Sequence, residues 1–208
     1  MNGPRSNGPK MNGGQTGVVP LIVDLLRQTF ARPREAARRV VAMGEAEDRG
    51  TLWLVLVVVA ILASLLSHAI LLVFAGPDEG ALMGGPVVTA LIQCGVMATI
   101  VWAVAAVGRR FGGHGGWNGA LAVTIWLEVV AMAMQLLQVV ALLLLPPLAD
   151  LVSMMGLGLF FVLLSLFVAE LHGFRSAPLV FLGIIGTIFA AAVILSIVLA
   201  LLGVGIRV

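Results

Sequence analysis

From residue 51 onward the chain alternates long apolar blocks with short breaks rich in glycine, proline or polar residues. Five blocks, at 52–74, 86–107, 121–145, 151–169 and 178–202, are long enough to be read as membrane spans. Crossing ~30 Å of hydrocarbon takes about 20 helical residues. The breaks are a Gly-Pro-Asp-Glu-Gly turn after the first block, Gly-Arg-Arg-Phe-Gly-Gly-His-Gly-Gly after the second, Pro146-Pro147 after the third, and Glu-Leu-His-Gly-Phe-Arg-Ser-Ala-Pro after the fourth. A β reading fails because the blocks are several times the length of a strand and lack the alternation of a membrane barrel. The expected fold is an all-α bundle of five transmembrane helices over 51–208, with a disordered tail at 1–19 and a cytoplasmic amphipathic segment at 20–50.

In that segment Leu21, Ile22, Leu25, Leu26 and Phe30 recur at helical spacing, with Asp24, Arg27 and Gln28 opposite them. Pro33 interrupts this helix and can begin a second. There Ala36, Ala37, Val40 and Val41 form one face, and Arg34, Glu35, Arg38 and Arg39 another. Three roles fit such a pair: lying on an anionic lipid surface, packing against the ends of the spans, or docking an unidentified protein partner. Arg27, Arg32, Arg34, Arg38 and Arg39 are the candidate residues for the lipid or partner role.

Composition agrees with a lipid environment: 61% of the 208 residues are hydrophobic and 11% are charged. Eight of the twelve Lys and Arg residues precede the first block, Arg109 and Arg110 lie in the second break, and Arg175 lies in the fourth. Basic short loops stay cytoplasmic, which predicts an N-terminus inside and a C-terminus outside in a bacterial inner membrane, with Trp53 and Trp117 near the cytoplasmic interface. The basic excess therefore reads as topological, and no nucleic-acid partner is expected. The first twenty residues contain no cleavable signal pattern, and Met11 opens a second Met-Asn-Gly stretch, so residues 1–10 read as an over-extended start or a disordered tail. Cys94 is the single cysteine and reads as a packing residue. No metal or cofactor is expected.

Polar residues within the blocks are the candidates for chemistry, because an unpaired charge in lipid is costly. Glu128 lies in the third block, followed at helical spacing by Gln135 and Gln138. His68 in the first block and Gln93 in the second fall near the level of Gln135, which predicts one polar cluster. Such a cluster either glues helices together or lines a path for ions, protons or lipid. An active site is the weaker reading, since Ser64 or Ser67 beside His68 on one helix would still need a third group to converge on a substrate. Ala60 with Ser64, and Gly186 with Ala190, have the small-xxx-small spacing of close helix packing and fit a homo-oligomer as well as a bundle. The glycines at 112–116 lack the Lys-Ser/Thr of a phosphate loop and read as a flexible turn, with His114 an ordinary loop histidine.

The layout resembles the Yip-one domain family, multi-spanning proteins whose eukaryotic members are named for interaction with Ypt/Rab GTPases. The resemblance covers residues 30–202 and is carried by three features: the amphipathic lead-in Phe30-Ala-Arg-Pro-Arg-Glu-Ala-Ala-Arg-Arg, the second loop Phe111-Gly-Gly-His-Gly-Gly-Trp-Asn-Gly-Ala, and the hairpin Glu170-Leu-His-Gly-Phe-Arg-Ser-Ala-Pro. The Ala/Val/Leu/Arg-rich, tyrosine-free composition is similar to that of bacterial members. With no tyrosine, the Asp-Leu-Tyr-Gly-Pro signature of the eukaryotic branch is absent, so the resemblance implies the fold and assigns no functional residue. The expected role is a non-enzymatic protein that organises the membrane or binds a partner; the alternative is a small transporter or channel.

Overall fold

The computed structural model describes residues 17–74 and 85–201, and all of its regular structure is helical. Two short helices, α1 (Val18–Ala31) and α2 (Pro33–Ala46), precede five long ones: α3 (Arg49–Phe74), α4 (Gly85–Arg110), α5 (Trp117–Leu144), α6 (Ala149–His172) and α7 (Ala177–Leu201). A single 3-10 turn, Pro146–Leu148, joins α5 to α6. The five long helices are apolar enough to cross a membrane, so the chain is a multi-pass membrane protein. The Gly-Pro-Asp-Glu-Gly turn after the first block and residues 1–10, read as an over-extended start or a disordered tail, lie outside the described residues.

Most of the long helices extend a turn beyond the apolar blocks that announced them. α3 starts at Arg49 because the Asp48 carboxylate accepts the N–H groups of Gly50 at 2.8 Å and Thr51 at 3.2 Å, satisfying orphan donors of the first turn. α1 starts at Val18, which places Pro20 in the first turn, where its missing N–H costs nothing. α2 has Pro33 in its own first turn. α6 ends where Gly173 turns left-handed (φ 71°) and the Phe174 N–H reaches the Ala169 carbonyl at 2.8 Å, a Schellman closure that favours glycine.

The core runs through α2 to α6. Leu56, Met97, Val101, Leu121, Val130, Leu163 and Phe167 are fully buried, with Ala36, Ala37, Ala60, Ala105 and Ala120 where backbones approach. Lipid tails are as apolar as leucine, so burial in the spanning part replaces lipid contacts rather than water. Close packing and interhelical hydrogen bonds therefore carry the association. Ala60 and Ser64 are both buried, and the Ser64 hydroxyl donates to the Pro86 carbonyl of α4 at 3.2 Å. α7 differs from the rest: it packs against α6, and none of its residues is buried, Gly186 and Ala190 included.

α2 lies against α5 and α6 at the end of the bundle where those helices start and finish, respectively. The α1–α2 hairpin thus marks one end of the bundle, the hairpin end. Of the three roles open to the two short helices, packing against the ends of the spans is the one seen for the inner faces of both. Leu25 and Thr29 of α1 and Ala36, Ala37, Val40 and Gly44 of α2 are buried.

Candidate functional site

The polar residues of the spans form two separate pairs. Gln93 Nε2 of α4 donates to Glu128 Oε1 of α5 at 2.8 Å, both residues half-buried. Two turns further along α5, Gln135 Nε2 donates to Ser67 Oγ of α3 at 3.2 Å. Gln138 is exposed on the bundle surface, and His68, half-buried, makes no side-chain hydrogen bond among the described residues. The expected single cluster is divided because Glu128 and Gln135 face different neighbouring helices. Neither Ser64 nor Ser67 hydrogen-bonds His68; their hydroxyls are engaged by Pro86 and Gln135.

Glu128 also lines a half-enclosed cavity of about 700 Å³ between α4, α5, α6 and α7. Its walls are almost wholly hydrocarbon, including Ile100, Val104, Leu127, Phe160, Phe161 and Leu164, and at the hairpin end it reaches Phe174, Arg175 and Ser176. The hydroxyls of Thr124 and Thr187 bond carbonyls of their own helices, Ala120 at 2.9 Å and Gly183 at 2.8 Å. They therefore add little polarity to the wall.

The richest polar construction is at the hairpin end. Arg38 grips Glu170 through two bonds, Nε to Oε2 at 3.1 Å and Nη2 to Oε1 at 3.3 Å, and this carboxylate raises the pKa of the Arg38 guanidinium. Glu45 accepts the Gly119 N–H at 3.1 Å in the first turn of α5, where a negative side chain complements the helix dipole. Asn118 donates to the Glu47 carbonyl at 3.0 Å and accepts from Arg49 Nε at 3.2 Å. One layer away, Trp126 Nε1 donates to Thr29 Oγ1 at 3.0 Å, and that hydroxyl donates to the Leu25 carbonyl at 2.8 Å. Both short helices are thus bonded to the spanning bundle.

Of the candidate arginines, Arg38, still largely exposed, is paired within the chain with Glu170. Arg39 bonds Asp24 at 2.8 Å and Gln28 at 3.2 Å, joining α2 to α1, and Arg32 pairs with Glu35 at 3.4 Å. Arg27 and Arg34 are exposed and form no ion pair among the described residues.

The group that sequence reasoning passed over is His172. It is 1% exposed and sits at the last turn of α6, enclosed by the loop that follows α4. The Gly115 N–H donates to Nδ1 at 3.1 Å, so the ring proton belongs on Nε2, which lies 3.0 Å from the Val104 carbonyl and donates to it. The His114 N–H donates to the His172 carbonyl at 3.3 Å, and Phe174 stacks on the ring at 5.5 Å. A Cβ on Gly108 would overlap the imidazole, and one on Gly113 or Gly115 would stand 2.5 Å or 2.7 Å from it. The glycine loop, expected to be a flexible turn, is a fitted socket for this ring. Arg109 closes its flank, with the guanidinium 5.1 Å from the Trp117 ring. The available signal was the pairing of a glycine-dense loop with a Leu-His-Gly hairpin, two of the three segments that carried the resemblance.

A family model described as Yip1 domain matches residues 27–204, a span that contains this junction. The chain belongs to the Yip1 domain family. No curated protein and no solved structure matches it. The Yip1 domain match begins within α1, so both the hairpin and all five long helices contribute to it. In this Yip1 domain both ring nitrogens of His172 are occupied by backbone groups, and the described residues contain no group of three or more His, Cys, Asp or Glu side chains suited to a metal ion.

Proposed function

We propose that this Yip1 domain protein is a non-enzymatic organiser of the bacterial inner membrane, acting through the α1–α2 hairpin on the cytoplasmic side. The observation that carries the reading is the three-sided character of α1. Leu25 and Thr29 face the bundle and are buried. Val19, Val23 and Phe30 lie roughly 120° round the helix from them, at about 100° per residue, and are 70%, 59% and 48% exposed. Asp24, Arg27 and Gln28 make the third side and line a polar groove with Arg32, Glu35 and Arg39. A helix with one side bonded to the bundle, one apolar and open, and one charged suits the boundary between acyl chains and headgroups. Held there by Trp126 and Thr29, α1 adds cross-section to one leaflet only. Such a protein spreads that leaflet and attracts anionic lipid through Arg27 and Arg34.

The test is reconstitution of the full chain into vesicles at rising protein-to-lipid ratio. Wild type is expected to reduce mean vesicle diameter, and the V19D/V23D double variant is expected to leave it unchanged at equal incorporation. The same diameter for both contradicts the reading. A protein partner docking on the α1–α2 surface would instead appear as a site-specific crosslink at Arg27 or Arg34, with no effect on the vesicles.

A second reading, a small transporter, is favoured by the position of Glu128 in the wall of the large cavity. It predicts flux of protons, cations or lipid in proteoliposomes that E128Q abolishes. Flux that is absent, or unchanged by E128Q, removes it.

A further inference from the structure

The cavity between α4 and α7, in whose wall Glu128 stands, has a shape and an end-to-end distribution of polarity that the hairpin reading does not use. Along α4 its wall runs from Ile100 to Gly108, along α6 from Phe160 to Val168, and along α7 from Leu179 to Ile188. Nine or ten helical residues, with about eight or nine rises of ~1.5 Å between them, cover roughly 12–14 Å, close to the thickness of one leaflet of a ~30 Å hydrocarbon core. The volume of about 700 Å³ falls in the range of small-molecule sites, about 300–1,000 Å³. The cavity is bounded on one side by α7, none of whose residues is buried, so that wall stands between the groove and the bilayer.

Polarity is confined to the two ends of this groove. At the hairpin end stand Arg175, exposed and without an ion pair among the described residues, and Ser176. Arg109 and Arg110 finish α4 on the same side. Glu170, the acid closest in sequence to Arg175, is taken by Arg38. At the deep end stands Glu128, bonded to the neutral Gln93 amide. Between the ends the threonine hydroxyls are turned to their own backbones.

A cationic mouth at the membrane boundary, an apolar channel one leaflet deep and an outer wall facing the bilayer together match one amphiphile in the orientation it already has in the membrane. We infer that the groove is a specific site for one anionic phospholipid of the leaflet at the hairpin end, its headgroup at Arg175 and Ser176 and an acyl chain along Ile100, Phe161 and Ile184. Charge complementarity at the mouth selects an anionic headgroup over a zwitterionic one. The groove shares no residue with α1 and α2, so the site stands whatever the hairpin does.

Native mass spectrometry of the full-length protein, released from detergent after titration with phosphatidylglycerol or with phosphatidylcholine of identical chains, tests the site. Wild type is expected to retain one phosphatidylglycerol per protomer with about a fivefold preference over phosphatidylcholine, the factor one basic residue near the surface supplies. R175Q is expected to erase the preference while keeping one bound lipid. Gly183 lines the groove, and a Cβ there would meet open space, so G183F fills the channel without striking the protein. That variant, and I100W from the opposite wall, are expected to lose the lipid. G186F, on the same helix but outside the lining and equally unobstructed, is expected to keep it. Equal retention in all three variants means that only annular lipid was seen, and equal loss in all three means that the groove is not the determinant. Either result, or no headgroup preference in wild type, overturns the assignment.

Discussion

The two ends of this bundle are built on different physics. At the hairpin end, α2, the first turn of α5, the last turn of α6 and the glycine loop are joined by directional bonds: Arg38 to Glu170, Glu45 to Gly119, Asn118 to Glu47 and Arg49, and His172 to Gly115 and Val104. Further from it, Glu128 with Gln93 and Gln135 with Ser67 are isolated pairs among side chains that face lipid, and α7 buries nothing. Water competes for polar groups at one end and lipid competes for apolar contacts at the other. The first setting rewards a fitted network, and the second leaves helices only shape and an occasional hydrogen bond. Geometric precision has accordingly gathered where the chain meets the aqueous boundary.

Substitutions should therefore weigh unequally at the two ends. The largest effect is expected for G108L, which drives a side chain into the His172 ring. Overpacking of this kind costs about 1–3 kcal/mol and sometimes more, enough to lower the detergent melting temperature sharply or prevent recovery of folded protein. Adding H172A should recover part of the loss, and strict additivity in that double-mutant cycle would deny the socket.

H172A alone should cost somewhat less. It strands the buried Gly115 N–H, an unsatisfied donor worth about 1–3 kcal/mol, and should raise hydrogen exchange at 111–116 before other segments respond. Unchanged exchange in that loop would mean the ring does not hold it.

W126F removes the single bond from α5 to Thr29 while keeping an aromatic ring. A loss of about 1 kcal/mol should appear as faster exchange or proteolysis confined to α1, with the melting of the spanning bundle nearly unchanged.

The smallest effect is expected for E128Q. The amide still offers Gln93 a carbonyl acceptor, and interhelical hydrogen bonds in membranes average ~0.6 kcal/mol. A melting temperature as depressed as that of H172A would erase the contrast between the two ends.

The same contrast explains what could be read in advance. The five spans were legible because length and unbroken apolarity are properties of each block alone. The inner face of α2 was legible because Ala36, Ala37 and Val40 recur at helical spacing, but that of α1 only in part: Leu25 is buried, whereas Leu21 and Phe30 of the same expected face are exposed and the polar Thr29 is buried instead. The socket was not, since Gly115 and His172 are 57 residues apart and a glycine cluster looks flexible until the side chain filling it is known. The pairing of Arg38 with Glu170, separated by 132 residues, was hidden for the same reason, although Arg38 does lie at the surface. Among the span residues, sequence depth placed Gln93, Gln135 and His68 at one level. It carried no information on which neighbour each faces, and so Gln93 was not paired with Glu128.

The most direct measurement on the α1–α2 account is the membrane depth of α1 in the reconstituted protein. Single spin labels at V23C and at D24C, in a C94S background, report relative collision with oxygen dissolved in lipid and with a nickel complex confined to water. With α1 at the leaflet boundary, label 23 is expected among the acyl chains and label 24 at the aqueous boundary, one residue apart yet on different sides of the helix. Equal exposure of both labels to the nickel complex would place α1 outside the leaflet and contradict the proposed function.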